Sequence, residues 1–542
     1  MSVSESTLSG EAVTAAAGRR FLSTIAFSAT TLIILAGFTY VHEHVTWYLS
    51  TSWKVWAPLL AALAGALAFA GARYADFAAL TKATMRASAA GLLVYLVLES
   101  PDFTLANPAT ATHAVQYVRM AYLIGLVTAA ISLYRPAFIL PTAVYIISTR
   151  YLVEGISTLP MSTLDIRYMI DMAVYLSTFS LLVVKVGPRI HPWLAAPERQ
   201  NEIVGVVFGL HLANYFWSGV AKVMLGPTPW DWILHNKTFN QIPYMIDAGI
   251  SPLGHWPWLT DLAYHAMTIM ISPLNAAIVA AQLFAIACVF RNSWLKVSSV
   301  LYDLLHMGIY VFGGLFFWPW IWNNLTIWWA ARSTTSPLSM NTKIACLATI
   351  VLGAPILKLN EAAWLGWFDI ADARQIYFEA LTRDGRAVKA PNAFFLSHSY
   401  SVSHGYMGAF PIKGQYPFGM QNTTHDPKRN DVSGMCVDPS SLDPVTPETP
   451  EQAATRRAGL ERFLSAHHVK MLAREAQFGK ANFYFHLHHH PSNPLLYPEF
   501  NKLSLHDVVG YRLVVESDCY RLDHGHVVKK VLARHLEDYG VR

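Results

Sequence analysis

The chain has 542 residues, 53% of them hydrophobic and 14% charged, with a mean hydropathy of +0.31 and a formal net charge of +5. So apolar a composition excludes an ordinary soluble protein of this length, and so small a net charge excludes a dedicated nucleic-acid surface. Several apolar runs reach about 18 residues or more, which predicts a polytopic α-helical membrane protein of about 8–12 membrane helices set in a lipid bilayer.

About twenty polar residues, ending in Arg19 and Arg20, precede an apolar run from Phe21 to about Val41. That run is long enough to span and has no A-x-A cleavage pattern, so it reads as an uncleaved first helix behind a cytoplasmic tail, 1–20. Further helices are expected near 54–73, 80–98, 114–134, 136–153, 168–186 and 203–225. Two longer apolar regions follow, 257–291 and 295–330, then a shorter one near 341–357. Pro273 is placed to break the first, and Gly313, Gly314 and Pro319 to bend the second. Basic residues such as Arg73, Lys82, Arg86, Lys185, Arg189 and Arg199 alternate between helix ends, while 99–113 holds no Lys or Arg. The positive-inside rule therefore puts the N-terminus in the cytoplasm of an inner-membrane protein.

After about Leu359 the chain changes character. The region 359–542 holds 13 of the 22 histidines and reads as a soluble α+β domain rather than a disordered tail. RQIYFEALTRDGRAV (374–388) reads as strand, Asp-Gly turn, strand; 450–478 as a helix; 480–491 and 511–518 as strands. The stretch 421–450 reads as loop. Of four cysteines, Cys288 and Cys346 fall in apolar segments, and Cys436 and Cys519 are placed to pair in an oxidising compartment.

The helix carrying FGLHLANYFWSGVAKVMLGPTPW holds Lys222 among apolar residues. His211, Asn214, Tyr215, Ser218 and Lys222 recur at spacings of three and four, on one broad face. Intramembrane polar groups usually face an interior, and a shielded amine is able to act as a base. The structural alternative is that Lys222, just before Gly226 and Pro227, snorkels to the interface. Asp303 with His306, and Asp261 with His265, pair at three and four residues; each reads as a cavity-lining group or as a satisfied buried pair. His42 and His44 end the first helix, where haem or copper ligation is an alternative to an interfacial role. In the tail, His486, His488 and His490 would share a strand face, with His398 or His404 nearby, as ligands for a divalent metal; a polar, histidine-rich strand is the other reading.

YFWSGVAKVMLGPTPW (215–230) resembles the lysine-bearing segment of the vitamin K-dependent γ-glutamyl carboxylases and of their bacterial relatives, the horizontally transferred transmembrane domain family. VLYDLLHMGIYVFGGLFFWPWIWNNL (300–325) resembles that family's later His…Gly-Phe-Phe helix, and 362–388 its tryptophan-rich exit into a β-rich domain. The similarity covers about 190–358 of the helical part, with a weaker extension to about 390. It implies an integral membrane enzyme in which Lys222 is a base acting on a reduced, vitamin K-like quinone, in oxygenation or carboxylation chemistry on a peptide. His306, Asp303, Tyr215 and His211 would support it; Asn214, Trp217 and His265 would line the cofactor. It also puts the tail on the non-cytoplasmic side. The family's upstream histidine has no counterpart, since none occurs between His113 and His191; Asp165, Arg167, Tyr168 and Asp171 stand there instead. Two other classes stay open: a non-catalytic scaffold or maturation subunit, and a metal- or haem-binding redox protein.

Overall fold

The apolar runs fold as helices in the computed structural model, which describes residues 10–49, 56–98, 108–156, 164–334, 336–359, 366–403, 421–436, 449–484 and 490–541. The helical part consists of α1 Gly10–Leu49, α2 Trp56–Ala68, α3 Ala79–Leu98, α4 Pro108–Ser132, α5 Ile139–Ile156, α6 Leu164–Leu181, α7 Glu198–Val223, α8 Asp231–His235, α9 Gln241–Asp247, α10 Pro257–Phe284, α11 Asn292–Gly313, α12 Trp318–Arg332 and α13 Met340–Ala348. Five segments are long and apolar enough to cross a membrane: Ala17–Val41, Tyr168–Ile190, Glu198–Val223, Pro257–Phe284 and Asn292–Gly313. Four shorter apolar helices accompany them; among the described residues the five spans alone fall short of the expected eight to twelve, which is reached only if the shorter helices are counted.

Pro273 does not break its helix: α10 runs through it from Pro257 to Phe284. An interior proline costs about 3 kcal/mol in an isolated helix, but packing overrides that preference here. The second long region does split. Gly314 takes φ +65° and caps α11, and Pro319 sits in the first turn of α12, where its missing N–H costs nothing.

α7 is the buried centre of the helical part. At its start Arg199 forms an ion pair with Glu202 and donates to Ser23 Oγ, while Glu202 accepts from Thr24 and Asn341. This knot ties α1 and α13 to the first turn of α7. At its other end α7 meets the tail. Gly366 lies there so close to the Ala221 backbone that a Cβ would come within 2.8 Å of it.

The tail is an antiparallel sheet of β1 Phe368–Thr382, β2 Ala387–Lys389, β3 Gln421–Thr424, β4 Val508–Asp523 and β5 His526–Gly540, in the order β2-β1-β4-β5 with β3 also on β1. The Asp384–Gly385 turn links β1 to β2 as its dipeptide predicts, with Gly385 at φ +85°. Pro450–Phe478 forms α14, capped by Thr449 and ended at Gly479. It packs Phe463 and Leu464 against Phe378, Phe394, Phe395 and Tyr511 in the core of the tail. Two expectations are corrected. Lys480–Tyr484 is a turn of tight helix, not strand, and 421–436 contains β3 and a helical turn rather than loop alone. The rest of that expected strand, 485–489, lies outside the described residues.

Cys436 and Cys519 form a disulfide, pinning the segment after β3 to β4 across 83 residues. Cys288 and Cys346 are free and buried. Denatured, unreduced protein is therefore expected to titrate two thiols and reduced protein four. Losing the bridge should destabilise the tail by about 2–4 kcal/mol, measured as faster hydrogen exchange in β4 after reduction.

Candidate functional site

Two groups of polar residues lie along α7. The first is an aromatic-walled box in the middle of the helix. Asn324, on α12, is its hub. Its Oδ1 accepts from His211 Nε2 at 2.7 Å and from Tyr215 OH at 3.2 Å. Its Nδ2 donates to Asp303 Oδ1 at 2.9 Å and lies 2.9 Å from Tyr215 OH. Tyr215 OH also lies 3.4 Å from His306 Nδ1. Tyr215 stacks on Tyr302 at 3.9 Å, and Trp320 sits within 6 Å of His211, Tyr215, His306 and Tyr168, centroid to centroid. His211, Tyr215, His306 and Asn324 are buried. The i, i+3 spacing of Asp303 and His306 does bring both to one place, as their shared helix face predicts.

The second group surrounds Lys222, about 10 Å farther along the helix axis than Tyr215 at 1.5 Å per residue. Its Nζ donates to Ser218 Oγ at 2.9 Å and lies over the Trp232 ring at 5.4 Å. The side chain is partly buried, not extended into solvent. Asp369, on β1, acts on it electrostatically. Asp369 is itself buried and accepts from Gln241 Nε2 at 2.7 Å, Asn236 Nδ2 at 2.9 Å and Trp367 Nε1 at 3.2 Å. Burial pushes its carboxyl upward, against those three donors and the Lys222 charge. Trp232 donates to the Trp367 carbonyl at 2.7 Å, which closes the group between α8 and the start of β1. An amine bonded to a hydroxyl, in the field of a buried carboxyl, is a setting in which a proton can be exchanged.

The expected convergence of Lys222 with Asp303 and His306 is thus corrected. Those two residues belong to the box around Asn324, and Lys222 belongs to the junction with the tail. Asn214 donates to the Leu210 carbonyl and Trp217 to the Ile350 carbonyl, so both brace α7. His265 turns outward: its Nε2 lies 3.4 Å from the Gly525 carbonyl in the β4–β5 turn, beside Asp261, which pairs with His526 at 3.0 Å. Asp171, in the segment that lacks the family's upstream histidine, accepts from Thr39 of α1 at 3.5 Å. The side chains of His42, His44, Asp165 and Arg167 lie outside the described residues.

In the tail, His398 and His490 are buried, whereas His404, His486 and His488 lie outside the described residues. Among the described residues, the His/Cys/Asp/Glu group with metal-like spacing is Asp247, Glu516 and Asp518. A lysine already fills its centre: Lys529 Nζ lies 2.6, 2.9 and 3.3 Å from the three carboxylates. Sequence reasoning missed Asn324, Asp369 and Lys529. The Asn323–Asn324 pair among five tryptophans was the one available signal for the first. Compared with models of known protein families, with curated proteins and with solved structures, the chain matches none of them.

Proposed function

We propose that this chain is a multi-pass inner-membrane enzyme in which Lys222 takes a proton from a weakly acidic, lipid-soluble substrate of the quinol type, with the tail on the non-cytoplasmic face. The observation that carries the reading is the seat of the Lys222 amine. It lies at the tail end of an apolar helix, oriented by Ser218, beside the flat face of Trp232 and in the field of a buried carboxyl. A water-poor setting favours an amine that gives and receives protons over one that only carries charge. Asp369 is the natural second group, because its carboxyl can hold the proton that Lys222 passes on. The resemblance of 215–230 to the carboxylase lysine segment points to the same residue, and extends the proposal to oxygenation or carboxylation of a peptide at the tail.

The sidedness has its own support. The 26-residue α7 runs from the Arg199–Glu202–Ser23 knot to the tail. Such a helix is about 39 Å long, enough to reach across a bilayer, which supports putting the start of α1 and the tail on opposite faces. Lys185, Arg189 and Arg199 gather near the first face, as the cytoplasmic side of a membrane protein requires. The Cys436–Cys519 bridge suits an oxidising compartment on the second.

The test uses the full chain in lipid nanodiscs, supplied with a reduced naphthoquinone and oxygen. Quinol loss and oxygen uptake above those of empty discs are the expected result. Equal rates with and without the protein, over a set of quinols, would remove the enzyme reading and leave a scaffold that docks a partner.

A further inference from the structure

The turn between β4 and β5 is tight and lies against a membrane helix. His524 and Gly525 both take positive φ, +47° and +84°, the geometry of a two-residue hairpin whose strands keep their register to the tip. Val527 packs on the cluster that holds Tyr264 and Met267 of α10. Asp261, on the same helix, accepts from the Val527 N–H at 3.3 Å and meets His526 at 3.0 Å.

Depth follows from helix arithmetic. α10 has 28 residues and is about 42 Å long, the thickness of a bilayer with its headgroup layers. Trp256 and Trp258 stand exposed at its start, where interfacial tryptophans belong, and Ile269, 79% exposed, lies beyond them. The hairpin touches α10 from Asp261 to Met267, about 6–15 Å past that start. A headgroup layer is about 5–8 Å deep, so the tip sits where headgroups give way to acyl chains.

The chemistry of the tip is ordered in the same sense. Cross-strand partners share a sheet face. Leu522 pairs with Val527 and so shares the face that meets α10; it is 38% exposed and continues the apolar surface of that helix. Arg521 pairs with Val528 and Lys530 with Cys519, which puts both cations on the opposite face and farther from the turn. Lys530 is set back from Val527 by about 10 Å. Both cations are exposed, and among the described residues neither is in an ion pair. The carboxylates nearby are answered by histidines, Asp523 by His524 at 3.7 Å and Asp261 by His526. Two cations are left unmatched behind an apolar tip.

We propose that the β4–β5 hairpin is seated in the membrane surface and binds an anionic phospholipid, Leu522 entering the acyl boundary while Arg521 and Lys530 hold the headgroup phosphate. The proposal rests on the reading that α10 crosses the bilayer, and takes nothing from the role of Lys222. It makes the tail a second membrane contact of the chain, placed by a hairpin rather than by a helix.

Two measurements on the full chain in nanodiscs test it. A nitroxide at Leu522→Cys is compared with labels at Ile269→Cys on α10 and at Ala387→Cys at the far end of the sheet, with the unsubstituted chain as labelling blank. Oxygen gathers among acyl chains, and a nickel chelate stays in water. Oxygen should relax the Leu522 and Ile269 labels more than nickel does, and the Ala387 label less. A Leu522 label that behaves like Ala387 while Ile269 reports lipid overturns the proposal and leaves the span intact. An Ile269 label in water overturns the span and the proposal with it. Hydrogen exchange then reads the headgroup. Amides 521–528 should exchange about 10- to 30-fold more slowly in discs containing phosphatidylglycerol than in phosphatidylcholine alone, about fivefold for each basic residue. About 0.5 M salt should remove the difference. Arg521→Gln with Lys530→Gln should bring it within about twofold and leave thermal unfolding unchanged, because both side chains are exposed. Equal exchange in the two lipids, or a difference that outlives the double substitution, overturns the proposal. So does equal protection by free glycerol phosphate in phosphatidylcholine discs, which would make this a site for a soluble anion.

Discussion

Lys222→Ala is expected to lower quinol turnover by roughly 10²- to 10⁴-fold, the range by which a positioned base accelerates proton transfer. The arginine variant decides what the loss means. Arginine keeps a cation at the end of α7 and can snorkel as lysine does, but it does not give up its proton. If Lys222 is a base, Lys222→Arg should be as slow as Lys222→Ala. If it is a structural cation for Asp369 or for the headgroup region, arginine should restore most of the activity. Ser218 sets the direction of the amine through one hydrogen bond of 2.9 Å. Its removal should therefore cost only about tenfold, the worth of one such bond. Folding is the control. The side chain is only partly buried, and a partly exposed charge contributes about 0–1 kcal/mol, so the unfolding profile should hardly move in any of the three variants. A Lys222→Ala protein that is folded and fully active sinks the assignment.

The sequence made the helical part readable because apolar run length is a property of composition, and packing does not reverse it. Gly314 was readable as a bend, and it ends α11 outright because few residues other than glycine take its left-handed conformation. The region 450–478 announced itself through Thr449, Pro450 and Gly479, which cap a helix whatever it packs on. Pro273 misled, because its local cost is real but smaller than the packing of α10. The candidate site was readable only within one helix. His211, Tyr215, Ser218 and Lys222 share a face by spacing alone. Their distant partners, such as His306, Asn324 and Asp369, come from about 90 to 150 residues away, and nothing in a polar residue's neighbours along the chain tells which distant carboxyl it will meet. Asn324 looks like any amide near a helix end until Asp303 and His211 close on it from α11 and α7. β5 hid for a related reason. Its alternation carries Lys, Arg, Glu and Asp on a largely exposed edge strand, where some of the charges also pair with β4, α14 and α9.

Lys529→Met is expected to loosen the tail by about 3–5 kcal/mol, the cost of breaking a buried ion pair from one side. The reason lies in what the lysine neutralises. Asp247 comes from α9, Glu516 and Asp518 from β4, and all three meet the Lys529 ammonium at the seam between the helical part and the sheet. Lys389 bonds the Asp247 carbonyl at 2.6 Å, Tyr520 its carboxylate at 2.8 Å, and Arg534 pairs with Glu516. Burial pushes Asp518 up from 3.8 to about 7, and the Lys529 charge opposes that rise. Burial acts on Asp247 in the same direction, but Lys389 and Lys529 outweigh it and hold its carboxyl below the ordinary value. The two groups give opposite slopes. Asp518 binds a proton in the folded tail between about pH 4 and 7 that the unfolded chain has lost. Its contribution to stability therefore falls as pH rises through that window. Asp247 loses its contribution only as pH falls below the ordinary carboxylate range. Asp518→Asn should accordingly flatten the pH dependence of β4–β5 hydrogen exchange above about pH 4. The Lys529→Met penalty should be larger at pH 8 than at pH 5, because protonation can relieve the stranded carboxylates only in acid. A packing defect would cost the same at both. Calcium gives a second discriminator. The carboxylate oxygens lie within 4.8 Å of one another, and an ion at about 2.4 Å from each is within the calcium range. Millimolar calcium should recover part of the lost protection in Lys529→Met and do nothing to the wild-type chain, where the ammonium already holds that position. Slowed exchange in the wild type, or none in the variant, would show that the three carboxylates are not held together by charge.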